Sequence, residues 1–222
     1  MKIDRRISTA HQIYESLRRR IIDFTLEPGS TLVQKEIAEE FGVSLSPVRD
    51  ATLRLETEGL IEIVPQSKTS VSLIDIQQAR ETHFLRLSVE IQVVRQLAQS
   101  ITDKQLAVLR NWIEHQNVEL KSHDVASFKL ADNQFHEDVY GMADVGGLWQ
   151  LIRTRRGHYD RVRGLYLTGH GKREIVIVEH QAIISALADG DPDAAEQAVR
   201  AHLGKGLQII DQIRARNPDY FL

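Results

Sequence analysis

The chain has 222 residues, no Cys, 42% hydrophobic and 27% charged residues, and 28 Lys and Arg against 31 Asp and Glu, a formal charge of −3. The lack of Cys excludes a disulfide scaffold, a thiolate zinc site and a cysteine nucleophile. No apolar run reaches the roughly 18 residues a membrane span needs, Met1 to Tyr14 has no signal-peptide stretch, and the slightly acidic balance argues against coating nucleic acid through bulk charge. A soluble, cytoplasmic globular protein is expected, with room for a small DNA-reading module.

Two zones separate near residue 75. In the first, His11 to Phe24 places Ile13, Leu17 and Ile21 at steps of four, on one helical face. Pro28-Gly29 follows as punctuation. A second helical pattern runs from about Gln34 to Phe41 and stops at Gly42. A third starts near Ser46-Pro47, with Ser as cap and Pro in the first turn, and closes at Gly59. Leu60 to Val64 and Ser70 to Leu73 are β-branched segments flanking a short turn, which predicts a hairpin. Beyond Asp75 the periodicity is helical throughout, over about 75–101, 103–123, 125–142, 147–167, 173–189 and 192–216. Six such helices with short connections describe an all-α antiparallel bundle. The fold class is therefore mainly α: an N-terminal winged helix-turn-helix over residues 1–74 and a helical-bundle domain over residues 75–222.

A helix-turn-helix needs a small residue where the two helices cross, Gly at the tight turn and an apolar lock on the second helix. Ala38, Gly42 and Val48 have that spacing. Ser44, Ser46, Arg49, Asp50 and Arg54 would then lie on the outer face of the second helix, where groove edges and phosphates are read. Lys35 opens the first helix of the pair, where its amine and the helix N-terminus can meet a phosphate. Lys68 sits at the tip of the hairpin wing. Residues 1–75 carry 10 Lys and Arg against 12 Asp and Glu, net −2, so DNA affinity would rest on a few placed cations and on two copies acting together. Arg18-Arg19-Arg20 read mainly as a solvated cluster.

In the second zone, Asp132 and His136 are four apart and project from one helical face. His180 and His202 lie on later helices, each flanked by apolar residues at helical spacing. One carboxylate and three imidazoles suit Zn²⁺ or another divalent transition metal such as Ni²⁺ or Mn²⁺. Spacing alone does not bring the last two helices to the same point, and each His taken singly reads equally as a packed core residue. Arg153, Arg155, Arg156, Arg161 and Arg163, around His158 and Tyr159, read mostly as a solvated helix face.

Several segments carry a family resemblance: Ile13 to Arg18, Leu26-Glu27-Pro28-Gly29, Glu36-Ile37-Ala38, Phe41-Gly42-Val43-Ser44, Pro47-Val48-Arg49-Asp50-Ala51 and Leu55 to Leu60. Together they resemble the winged-helix domain of the GntR family of bacterial repressors. The resemblance implies that Arg49 contacts bases or phosphates, with Arg54 and Lys35 contributing. Where the family usually has Gly at the wing tip, Gln66-Ser67-Lys68-Thr69 has none. Arg86 to Glu90, Asp132 to His136, Glu179-His180, Ala186-Leu187 with Gly190-Asp191, and His202-Leu203 resemble the FCD effector domain of the FadR subfamily. Gly146-Gly147 departs from that family, which often has Asn there. This second resemblance implies a metal held by Asp132, His136, His180 and His202, and a small organic acid whose carboxylate meets that metal and Arg86. A bidentate guanidinium matches a carboxylate; the alternative for Arg86 is an internal ion pair with Glu90.

The expected function is a DNA-binding transcription regulator, a repressor, acting as a homodimer on a palindromic double-stranded operator and controlled by a small carboxylate. The alternative is a helical-bundle metalloenzyme in which the three-His, one-Asp site activates water. No His-Glu-x-x-His motif supports the second, and it leaves the first 75 residues without a task.

Overall fold

The computed structural model describes residues 6–65 and 67–222. In the first domain α1 (Thr9–Ile22), α2 (Gln34–Phe41) and α3 (Leu45–Thr57) precede strands β1 (Ile61–Val64) and β2 (Lys68–Val71). The face expected for α1 is buried: Ile13, Leu17 and Ile21 are fully covered and share a core with Phe41, Val48, Leu55 and Leu60. Gly42 ends α2 at φ +65°. Nothing crowds the position of a Cβ there, so the left-handed backbone, rather than close packing, is what calls for glycine. The strands pair antiparallel, from Ile61 opposite Val71 to Val64 opposite Lys68. Of the wing-tip residues named above, Gln66 lies outside the described residues.

The second domain is helical: α4 (Ile76–Ala98), α5 (Asp103–Ser122), α6 (Val125–Met142), α7 (Gly146–Arg153), α8 (Gly157–Leu167), α9 (Lys172–Ala188), α10 (Pro192–Gln208), α11 (Ile210–Arg216) and a single turn at Pro218–Tyr220. Local chemistry starts several of these helices. Asp75, Asp124 and Asp191 accept from the free N–H groups of α4, α6 and α10, and Thr102 with Gln105 forms a capping box on α5. α10 packs on both α4 and α9, α5 on α6 and α9, and α8 on α4. Their apolar faces form a second core that runs from Ile74 to Phe221.

Three sequence expectations are corrected. The third helix starts at Leu45 after Ser44, so Ser46 is a helical residue and not the cap. The segment 147–167 is two helices. The chain breaks at 154–156 because two carbonyls there accept bonds from distant side chains: Arg153 O from Arg18 Nη2 (2.9 Å) and Arg155 O from Thr82 Oγ1 (3.0 Å). The segment 192–216 also divides, at Ile209, just past Gly204 and Gly206, each about 1 kcal/mol less favourable in a helix than Ala.

The domains meet through α8. Arg161 donates to Ser72 O (2.6 Å) and Ser72 Oγ (3.1 Å), and the buried His158 accepts at Nδ1 from the backbone N–H of Asp75 (2.9 Å). Arg18 of α1 is buried, not solvated; it pairs with Glu58 (3.0 Å) and with Asp160 of α8 (3.7 Å). At Gly157 an added Cβ would fall 2.6 Å from Leu60 Cδ2, so the first turn of α8 presses directly on the winged helix.

Candidate metal centre and DNA-reading helix

The expected helix-turn-helix geometry is present: Ala38 and Val48 are buried at the crossing of α2 and α3. Gln34 of α2 donates to Thr52 of α3 (3.3 Å), tying the pair together. Ser44, Ser46 and Arg49 are exposed on the first turns of α3, and Lys35 is exposed at the start of α2. Lys35, Arg49 and Lys68 make no ion pair with the described residues. Arg54 is also exposed, but its guanidinium lies 3.7 Å over the Tyr14 ring and 3.2 Å from His11 Nδ1, which draws it toward α1.

In the bundle, Asp132, His136, His180 and His202 converge. One ligand atom from each lies within 4.8 Å of all the others, and all four residues are buried. His136 Nε2 and His180 Nε2 stand 3.1 and 3.2 Å from His202 Nε2, and His180 Nε2 stands 3.5 Å from Asp132 Oδ1. Donors about 2.1 Å from one ion are about 3.0 Å apart at a right angle and about 3.4 Å apart in a tetrahedron. The donor set therefore has the dimensions of a metal site.

The outer ring nitrogens strengthen that fit. His180 Nδ1 faces Gln116 Oε1 (3.0 Å), His202 Nδ1 faces Glu179 Oε2 (3.1 Å), and His136 Nδ1 abuts Glu90 Oε1. For His180 and His202 these oxygen acceptors hold the proton on Nδ1 and leave the Nε2 lone pair facing the site, whereas the His136 Nδ1 contact with Glu90 is not aligned as a hydrogen bond. Burial, followed by the charge of nearby Arg86, lowers His136 well below its ordinary value; burial and the neighbouring His202 do the same for His180. His202 falls to about 3 through burial and the charge of Arg163. Neutral imidazoles whose Nε2 lone pairs face one another are unsatisfied unless a cation lies between them.

Arg86 is fully buried. Its Nε donates to Glu90 Oε2 (3.0 Å), which realises the internal pair, yet Nη1 and Nη2 have no partner. Glu90 thereby joins Arg86 to His136. Sequence reasoning missed Arg163, placed there with the solvated stretch: it grips both oxygens of Asp132 with its fork and is almost covered. Arg156 and Arg161 are buried as well. An i, i+31 pairing leaves no trace in local periodicity, so nothing in the sequence marked Arg163. The outer partners Glu90, Gln116 and Glu179 were hidden in the same way. The void bordered by Tyr159, Arg163, Tyr166, Val176 and His202 measures about 10 Å³, at most room for one water.

Comparison with known proteins now bears on this geometry. Residues 9–71 match the model of bacterial regulatory proteins of the gntR family, and residues 81–205 match the FCD domain. The chain is 34% identical over 210 residues to the HTH-type transcriptional repressor RspR of Escherichia coli K12, across 95% of this chain and 92% of that one. The chain belongs to the GntR family. A regulator encoded in an unstable DNA locus of Streptomyces ambofaciens is 31% identical over 209 residues, covering 94% of this chain and 88% of the relative. Among solved structures, McbR/YncC of E. coli superposes with a TM-score of 0.80 at 21% identity, over 93% of this chain and 98% of that one, a likeness of fold. This GntR-family chain is a transcription regulator with a DNA-binding helix-turn-helix and an FCD domain, and its relatives are named as regulators, so the metalloenzyme reading falls away. No helix among the described residues is long and apolar enough to cross a membrane.

Proposed function

We propose that the protein is a cytoplasmic, homodimeric repressor of the FadR subfamily, in which residues 1–74 bind a palindromic operator and residues 75–222 sense a small organic acid at a divalent metal. Asp132, His136, His180 and His202 would hold the ion, Zn²⁺ first and Ni²⁺ or Mn²⁺ as substitutes. When bound, the metal would supply a positive centre for a carboxylate. Arg49, with Ser44 and Ser46, would address the major groove, and Lys35, Arg54 and Lys68 would meet the backbone.

The observation that carries the reading is the pair of orphaned Arg86 nitrogens next to the four-residue donor set. A buried guanidinium without a full complement of acceptors is costly, and a carboxylate would complete its fork. Charge supports the same conclusion. Three cations (Arg86, Arg163, Lys205) already match three carboxylates (Glu90, Asp132, Glu179), so a divalent ion leaves a surplus that an acid anion would neutralise.

The void beside the site is too small for an acid, so binding must open the bundle near α8 and α10. Since α8 also holds the winged helix through Arg161 on Ser72 and through the close approach of Gly157 to Leu60, an acid that displaces α8 favours a different domain arrangement. Only such differential affinity can shift an equilibrium. The test is operator affinity of metal-loaded and chelated protein, measured across a panel of small carboxylates. At least one acid should change the affinity of the loaded protein alone; an operator affinity indifferent to every acid and to chelation would refute the coupling.

A further inference from the structure

A second cavity lies between the two domains; one of its walls, Trp149, also stacks on His136 of the metal site (ring centroids 6.2 Å apart). It encloses about 410 Å³, with α1 supplying one wall through Arg18 and Ile22, and α6, α7 and α8 supplying the other through Lys129, Trp149 and Arg156. That volume is in the range of small-molecule sites.

Two of its cations are incompletely matched. Arg156 is 2% exposed; Nε donates to Asp160 (3.0 Å), Nη2 to Asn133, and Nη1 has no partner. Lys129 Nζ donates to the carbonyl of Ile22 (3.0 Å), its sole hydrogen-bond partner among the described residues. Arg156 is further held 4.4 Å over the Trp149 ring, and Ile22 and Leu130 add apolar surface. The lining also includes four carboxylates, among them Asp160 and Asp23, which would repel a dianion.

We propose that this interdomain cleft is a second effector site, separate from the metal, for a monocarboxylate with an apolar or aromatic body. The carboxylate accepts from Lys129 Nζ, and from the buried Arg156 Nη1 once that side chain turns toward the cleft, while its body lies along Ile22 and Leu130 beside Trp149. Because the occupant touches both domains, it binds one domain arrangement better than another and biases operator affinity without the metal. This goes beyond the metal-dependent reading and stands or falls independently of it.

The chain has two Trp residues, and Trp112→Phe leaves Trp149 as sole fluorophore. Benzoate is the probe, titrated into this variant with and without chelator. A saturable change in Trp149 emission is expected in both. Lys129→Gln, which keeps a donor for Ile22 O on a partly exposed side chain, should weaken binding by roughly 10- to 100-fold, the loss of a charge-assisted bond. Arg156→Lys, which keeps the charge and loses Nη1, should weaken it as well. His202→Gln in the metal core should leave benzoate affinity unchanged. The absence of a saturable change across the millimolar range, or a change abolished by His202→Gln and indifferent to Lys129→Gln, would overturn the proposal.

Discussion

His158, whose Nε2 lies so close to Gly59 of the winged helix that a Cβ added there would fall 3.1 Å from it, makes the contact between the domains sensitive to protons. It is buried under the wing-side loop, with Nδ1 accepting from Asp75 N–H and standing 3.0 Å from Arg161 Nη2. Burial first, and then the Arg161 charge, lower it from 6.5 to about 4, against a partial offset from Asp75. A His depressed in the folded state contributes stability that is fully present above its unfolded value and is lost as pH falls toward its folded one. The window is thus pH 6.5 down to about 4, and the contribution lost by pH 4.5 is on the order of 2–3 kcal/mol. His158→Asn retains an oxygen acceptor for Asp75 N–H and removes the titration. Urea unfolding of both proteins at pH 7.5 and 4.5 gives the difference directly, because all other titrating groups are shared. Wild type should lose on the order of 2–3 kcal/mol more than the variant over that interval. Parallel pH dependences would refute the reasoning and place His158 in a solvated state.

Three further outcomes are expected. Gly157→Ala drives a methyl into Leu60 at the domain contact and should cost about 1–3 kcal/mol in thermal or urea unfolding. Arg49→Ala should lower operator affinity tenfold or more while metal content stays unchanged, since a lost base or phosphate contact is worth about 1–3 kcal/mol per subunit; mobility-shift titration with metal analysis reads both. His136→Ala should reduce bound metal, and retention of a full equivalent by elemental analysis would remove His136 from the ligand set.

The parts of the fold set by short-range pattern were legible in the sequence. Ile13, Leu17 and Ile21 announce the buried stripe of α1, and Ala38, Gly42 and Val48 announce the helix crossing, because each rests on helical period or on a single backbone conformation. Asp132 and His136 share a helix and were visible as a pair. Their union with His180 and His202 depends on how α9 and α10 pack, and that came only through family resemblance. Arg18, Arg161 and Arg163 were misread as solvated for a physical reason: a long cationic side chain is buried when a distant carboxylate or carbonyl receives it, and Glu58, Ser72 and Asp132 lie on other elements. Arg156 pairs locally with Asp160, and its distant partner is Asn133 of α6. The break between α7 and α8 had the same origin, in carbonyls drawn off by Arg18 and Thr82.

One short helix therefore carries two kinds of obligation. Along α8, Arg161 grasps the connecting segment at Ser72 while Arg163 grasps the metal-site carboxylate, and two residues along a helix turn through about 200°. Phase along this rod, more than the identity of either arginine, links one grip to the other. A single residue inserted after Val162 would leave both arginines in the chain but rotate one by about 100° relative to the other. Such a chain could keep either grip in register, not both: the molecule would still contain a reader and a sensor, with no common shaft between them.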